Sequence, residues 1–385
     1  MRGRKKLVFG AVMTAMLVGG WEVTARVAGV AECRGVEPDP GNWEEMLGSK
    51  RTLWEMRPNY TIPSPVGRAT QINAVGLRDT LVPADNGGRP KRDNERRIIT
   101  TGDSTVYGWG VPTGETFQEK LERMLSVRWP NIQFEVINLG VPGYSTEQTL
   151  RQLEDVGWSY DPDLLVVSNI FSDSNFDSFH DHEALALVNP DLSGMSGFLR
   201  GSRSYCGLYM LRANSQANSG QQPNRVLMPG TPRDARWVTE PDRFGVDSRV
   251  PIGRFQNNLG LILESATENG AKMMLAPLAQ EWDAGRWSMG EVEQPAVGEP
   301  LPWTPYRDVV SAFASEHGLV HVPFYEAFAA VNRPAGQLFS DAIHPTPDGA
   351  EIMARELYAA IVRAPSLLEL PATRPSPRPS RRHGQ

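Results

Sequence analysis

Three residues of this chain have the chemical types that a proton relay needs, and two of them have the spacing. Ser104 stands in "RRIITTGDSTVYGWGVP", where an apolar run breaks off at Gly102-Asp103-Ser104 and a glycine-rich turn follows. Asp341 and His344 stand three apart in "FSDAIHPTPDG". On a helical turn that spacing points both side chains to the same side, close enough for carboxylate to meet imidazole. A serine hydroxyl is a weak nucleophile at neutral pH. It needs a base within hydrogen-bond reach, and the base needs a third group to fix its tautomer. His344 Nε2 would take the proton of Ser104, and Asp341 would hold Nδ1–H and steady the imidazolium. Gly-Asp-Ser and Asp-x-x-His are each short and common, so residue types alone leave open an N-capping serine and an ordinary surface turn.

Three distant points can meet only if the fold collects them. Apolar runs at residues 97–101, 134–139, 164–171, 272–279 and 319–324 read as strands buried on both faces, the mark of a parallel sheet. Helical patterns fall between and after them, at residues 116–127, 146–158, 251–269 and 306–317, with a last helix following Pro347. Strand followed by helix, five times over, predicts a doubly wound α/β fold with right-handed crossovers. In such sheets the working site lies outside the carboxyl ends of the strands. The loops there are Gly102-Asp103-Ser104, Gly140 with "PGYST", "SDSNFD" and "FSDAIHPTPDG". Residues 178–250 interrupt the rhythm with many Gly, Ser, Asn and Pro, too long for an ordinary loop, and read as an excursion over one end of the sheet.

The 385 residues, with 40% hydrophobic and 22% charged, fit a soluble globular body with a substantial core. A net charge of -6 with no long basic stripe outside the termini argues against nucleic acid as the main partner. Arg2, Arg4, Lys5 and Lys6 precede an uncharged stretch at residues 7–21, and that asymmetry holds the N-terminus in the cytoplasm while the rest faces outward. The stretch spans roughly 22 Å as a helix against a hydrocarbon core of ~30 Å, which suits either a signal-peptide core or a short anchor continuing through Val30; a buried amphipathic helix is the bland alternative. Cys33 and Cys206 are the two cysteines, and either form one disulfide or stay unpaired. "DSFHDHE" at residues 177–183 crowds histidines and acids, yet has no recurrent ligand spacing and reads as a solvated loop rather than a metal site. Trp109 and Tyr107 either line an acyl or sugar pocket or pack against the next loop.

"GDSTVYG" after a strand, "NLGVPGYST" some way on, and "LFSDAIHPTPDGAEIMARELYAAI" near the C-terminus resemble, in order, the first, second and fifth blocks of the SGNH/GDSL hydrolases. "INAVGLRD" at residues 72–79 and "WEVTARVAG" after the apolar segment resemble the membrane-anchored bacterial branch of that family. The resemblance implies a flavodoxin-like, three-layer α/β/α catalytic domain with Ser104 as nucleophile, His344 as base and Asp341 as orienting acid. It also implies an oxyanion hole from the N–H groups of Ser104 and Gly140. The third block departs from the family, because no Gly-Asn-Asp exists: Ser172-Asp173-Ser174-Asn175 stands there, and simple alignment puts Asp173 on the position of the donating asparagine. A carboxylate would repel an oxyanion, so Asn175 is the expected third donor, with Ser172 or Asn169 as the others in reach.

The expectation is therefore an exported serine esterase acting through an acyl-enzyme, needing no metal or organic cofactor, with an O-acetylated envelope carbohydrate as a plausible ester substrate and the membrane as a contact of the N-terminal segment. Its rivals are an O-acyltransferase using the same triad and a catalytically impaired envelope carbohydrate binder or scaffold. The expected organisation is a signal peptide or anchor at 1–30, a linker and wrap at 31–92, the hydrolase domain at 93–363 with its insertion at about 178–250, and a disordered Pro/Arg-rich tail at 364–385.

Overall fold

The computed structural model describes residues 19–29, 38–39, 43–63, 69–175, 180–189, 202–206, 226–227, 248–285 and 301–371. Most of the apolar N-terminal stretch, Cys33, most of the 178–250 excursion and residues 372–385 lie outside the described residues; the start of the tail expected to be disordered from 364 instead forms a 3₁₀ turn, Pro365–Leu368, with Leu368 and Leu370 buried.

Five parallel strands form the central sheet: β1 (Glu95–Thr101), β2 (Gln133–Asn138), β3 (Leu164–Val167), β4 (Lys272–Leu275) and β5 (Val320–His321). Their order across the sheet is β2-β1-β3-β4-β5. This is the flavodoxin-like order, in which the chain leaves β1 to one side and returns on the other, so the loops after β1 and β3 part at a topological switch point.

Alternation along each strand feeds two cores. Ile98, Leu164, Val166 and Met274 point to one face, where they meet Phe117, Leu121 and Leu125 of α2 (Phe117–Arg128) and Met353, Leu357 and Ile361 of α6 (Pro347–Arg363). Ile99, Leu165, Val167, Met273 and Leu275 point to the other, against Phe255, Leu259 and Ile262 of α4 (Ile252–Glu268) and Val310 and Phe313 of α5 (Thr304–His317). The result is the three-layer α/β/α arrangement. Two short helices sit at the sheet's carboxyl edge, α1 (Ser104–Tyr107) and α3 (Thr146–Gln152).

The helix starts follow local chemistry. Thr116 caps α2 with a reciprocal Glu119 contact, Ser145 caps α3 with Gln148, and Thr346 caps α6 ahead of Pro347. Some boundaries differ from the sequence pattern. β3 stops at Val167 although the apolar run continues to Phe171, because Asn169 turns its amide to Tyr144 O and Thr149 Oγ1 and residues Phe171–Ser174 then wind into a helical turn. β4 stops before Pro277 and β5 before Pro323, whose rings supply no N–H to a ladder. The helix expected over 146–158 keeps α geometry only to Gln152 before a π turn, Leu153–Gly157, and a 3₁₀ turn, Trp158–Tyr160.

The N-terminal wrap has structure of its own. Met46–Ser49 and Leu53–Met56 pair as an antiparallel hairpin. Trp54 docks it on the second loop: its indole N–H donates to Pro142 O at 2.9 Å, and Tyr144 Oη donates to Trp54 O at 2.7 Å. Further upstream, residues 19–27 are helical and expose Trp21, Val23 and Val27. Among the described residues no helix is long and apolar enough to cross a membrane.

Candidate active site

β1 delivers the Gly102–Gly108 turn to the carboxyl edge of the sheet. At Gly102 a Cβ would sit 2.5 Å from Val106 Cγ2, so the turn needs glycine there. Asp103, almost fully buried, caps α1 by accepting from Thr105 N at 3.0 Å. Ser104 is the first residue of α1 and is partly exposed. The turn closes at Gly108, whose φ of 82° is the left-handed conformation that favours glycine.

A second turn reaches the same place from the far end of the chain. Asp341 Oδ1 accepts from the backbone N–H groups of Ile343 (2.9 Å) and His344 (2.8 Å), which folds the loop back on itself. That leaves Asp341 Oδ2 to accept from His344 Nδ1 at 2.7 Å, and Ser104 Oγ donates to His344 Nε2 at 2.8 Å. The two turns are also tied directly, since Thr105 Oγ1 donates to Ile343 O at 3.2 Å. Burial alone would raise the Asp341 carboxyl, but the hydrogen bond and charge of His344 together with the two N–H groups hold it below the usual carboxylate range.

Two buried arginines hold the loops, Arg78 inside the "INAVGLRD" stretch and Arg249 outside every motif quoted above. Arg78 of the "GLRD" stretch donates to Tyr107 O (3.2 Å), Gly108 O (2.6 Å) and Val111 O (2.6 Å), gathering the carbonyls that follow Ser104. Its neighbour Asp79 accepts from Asn138 N at 3.0 Å, where β2 ends, and burial pushes that carboxyl up to about 7. Arg249, fully buried, pairs with Asp181 at 2.7 Å and donates to Gly143 O at 2.7 Å. These contacts join residues far apart in sequence and carry no local pattern that could announce them.

The expected oxyanion donors meet different fates. The N–H of Ser104 heads α1 and has no acceptor among the described residues. The N–H of Gly140 is already committed, donating to Asn138 Oδ1 at 2.9 Å, which corrects the expectation that it serves as an oxyanion donor. Glycine is needed at 140 for another reason: a Cβ would lie 2.3 Å from Tyr107 N, so this is where the second loop packs on the nucleophile's turn. Three residues on, Val141 to Tyr144 form a turn with Pro142 and Gly143 at its centre, Gly143 at φ 78° and Tyr144 N donating to Val141 O at 3.1 Å. The N–H of Gly143 has no acceptor among the described residues.

In the third loop, Asp173 does not face Ser104. Its Oδ1 accepts from Thr146 N (2.9 Å) and Thr146 Oγ1 (2.5 Å) at the start of α3, and burial pushes its carboxyl up to about 8. Asn175 caps the Phe171–Ser174 turn, its carbonyl accepting from Arg249 N at 2.7 Å. The side chain that reaches the nucleophile's turn is that of Ser172, whose Oγ donates to Asp103 Oδ2 at 3.2 Å. Asp103 remains raised by its burial, although Thr105 N–H, the charge of His344 and Ser172 all oppose the shift.

Aromatic side chains border the site. Trp109 lies 6.1 Å from the His344 ring and 6.3 Å from Tyr107, and Trp43 meets Trp109 edge to face at 5.2 Å. Among the described residues no group of three or more His, Cys, Asp or Glu is placed to hold a metal ion; of the "DSFHDHE" stretch, His180 stacks on His182 and Asp181 is spent on Arg249. Cys206 is buried and disulfide-bonded, and Cys33 lies outside the described residues.

No protein-family model matches the chain, and no curated protein matches it. Solved structures are similar at low identity. An α/β hydrolase, LAE5, from the metagenome of Lake Arreo is 15% identical over 69% of this chain and 94% of its own, with a TM-score of 0.42. A candidate GDSL-like lipase from Parabacteroides merdae is 16% identical over 70% and 98%, with a TM-score of 0.43. Axe2, an acetylxylan esterase from Geobacillus stearothermophilus, is 14% identical over 69% and 94%, with a TM-score of 0.41. Likeness at this level does not fix an activity, which has to be argued from the residues of the site.

Proposed function

We propose that the chain is a serine esterase of the SGNH/GDSL type. The single observation that carries the reading is the run Ser104 Oγ, His344 Nε2, His344 Nδ1, Asp341 Oδ2, with steps of 2.8 and 2.7 Å between groups drawn from opposite ends of the domain. Ser104 Oγ attacks the ester carbonyl carbon as its proton passes to His344 Nε2, and Asp341 steadies the imidazolium. The N–H groups of Ser104 and Gly143 are the free backbone donors for the oxyanion of the tetrahedral intermediate. When the intermediate collapses, the C–O bond to the alcohol breaks and His344 gives its proton to the leaving alkoxide. Water then attacks the acyl-serine, His344 takes its proton, and the acid departs as Ser104 is reprotonated. Every step is a proton transfer or an acyl transfer, and none calls for a cofactor.

The substrate read with this chemistry is an O-acetylated carbohydrate of the cell envelope, reached from the outer side of the membrane. Export is supported by the basic N-terminus ahead of an apolar stretch and by the disulfide at Cys206, a bond that oxidising compartments favour. The exposed Trp21, Val23 and Val27 of the 19–27 helix suit a tether at the bilayer surface. A fluorophosphonate probe tests the chemistry: it should label the native protein and leave Ser104→Ala unlabelled, and equal labelling of both, or of neither, contradicts the reading.

A further inference from the structure

The aromatic rim beside His344 takes no part in the proton relay, and its position says what it would touch. Trp109 N donates to Ser104 O at 2.9 Å, so the backbone that places the nucleophile also places this indole. Its ring lies 6.1 Å from the imidazole of His344, with the planes 33° apart. Trp43 comes from the N-terminal wrap, outside the α/β layers, and crosses Trp109 at 76°. Both indoles are partly exposed, whereas Met46, Trp54, Tyr107 and Tyr144 packed with them are buried. Both rings pack against that buried cluster on one side and keep part of their surface open to solvent.

The direction of the reaction identifies the ligand. In the chemistry proposed above, on which this inference rests, His344 hands its proton to the departing alkoxide, so the alcohol half of the ester lies on the His344 side of Ser104. A surface beside His344 therefore meets the alcohol, not the acyl group. We propose that Trp43 stacks on a pyranose ring, the alcohol of an O-acylated carbohydrate, with Trp109 as a wall set at 76° to it on the His344 side, and that the N-terminal wrap thereby supplies substrate specificity to the catalytic layers. A pyranose presents an apolar C–H face to an indole and turns its hydroxyls to water. Burying such a face on an indole is the kind of central aromatic contact that dominates small interfaces.

Steady-state kinetics on cellotriose carrying about one acetyl group per molecule, set against ethyl acetate, whose alcohol is too small to reach Trp43, test the platform. Trp43→Ala should raise KM for the sugar ester about tenfold and lower the ratio of sugar-ester to ethyl-acetate kcat/KM by about the same factor, and Trp43→Phe should recover most of it. A fall on both substrates together, or an unchanged ratio, overturns the platform. So does a Trp43→Ala defect confined to long-chain p-nitrophenyl esters, which would make the rim an acyl site. Fluorophosphonate labelling separates the levels: a labelled Ser104 with an unchanged ratio removes the platform alone, and an unlabelled Ser104 removes the esterase reading with it.

Discussion

The Ser104 turn and the His344 turn meet at two hydrogen bonds but are built on different principles. The Gly102–Gly108 turn is gripped from the inside: Asp103 is buried at its cap, Gln118 donates to Val106 O at 2.8 Å, Asn138 donates to Tyr107 O at 3.2 Å, and Arg78 shares that carbonyl and collects two further ones, Gly108 O and Val111 O. The Asp341–His344 turn is held mainly by its own carboxylate and by Ser340 N donating to His344 O at 2.9 Å, and the Asp341 side chain is 52% exposed. Ser104 is thus fixed by the core, and His344 by a local fold anchored to the core through Thr105 and through Glu281 N, which donates to Ala342 O at 3.0 Å. Damage to the first turn should be felt as lost stability, and damage to the second as lost rate.

Asp341→Asn is the sharpest way to break that contrast. It removes the charge that steadies the imidazolium and lets His344 take the wrong tautomer, so ester hydrolysis should fall about 10²- to 10³-fold, less than for a fully buried acid because water screens this one. The melting temperature should move by no more than about 2 °C. The complementary change, Arg78→Ala, strips a buried cation from three carbonyls and should lower unfolding free energy by about 3 kcal/mol, read as a shift in denaturant midpoint. Arg78→Lys should recover part of this, since one ammonium can serve some of the carbonyls but lacks the planar fork. If Arg78→Ala left stability intact, or Asp341→Asn unfolded the protein, the division between the turns would be mistaken.

A pH-dependent effect separates the third loop from both. The Asp173 carboxyl is pushed up to about 8 in the folded protein by burial, against about 3.9 for an unfolded aspartate. The folded state therefore binds this proton more tightly, so the contribution is fully present below about pH 4 and is lost as pH rises through about 8. Asp173→Asn keeps an oxygen to accept from Thr146 but cannot ionise. Its denaturant midpoint should overtake that of the native protein at about pH 9 and not at about pH 5; parallel curves across that range would refute the assignment.

Much of this architecture was legible from periodicity. Ile98 and Ile99, pointing to opposite cores, are typical of strands whose continuous apolar runs gave them away, and the helix caps at Thr116, Ser145 and Thr346 stand where short polar residues precede helical patterns. The residues that meet at the sheet edge, Ser104, Asp341 and His344, could be picked out because their types and spacing fall in blocks that resemble a known family in order, whereas the types alone also fit a capping serine and a surface turn. Three things could not be read. The run at 164–171 looks like one strand, and only the tertiary bonds of Asn169 end it early. "NLGVPGYST" offers two glycines, and only the orientation of Asn138 shows that Gly140 has spent its N–H while Gly143 has not. Arg78 and Arg249 bind backbone carbonyls, which every residue possesses, so no sequence pattern marks their partners.

The most direct test of the central claim is to trap the acyl-enzyme. The protein mixed with p-nitrophenyl acetate, quenched in acid within the first turnovers, digested and weighed by mass spectrometry should carry one acetyl group on the peptide containing Ser104, more of it in Asp341→Asn if deacylation slows further than acylation. Ester turnover that persists in Ser104→Ala, or an acetyl group found on another residue while Ser104 stays unmodified, would contradict the account.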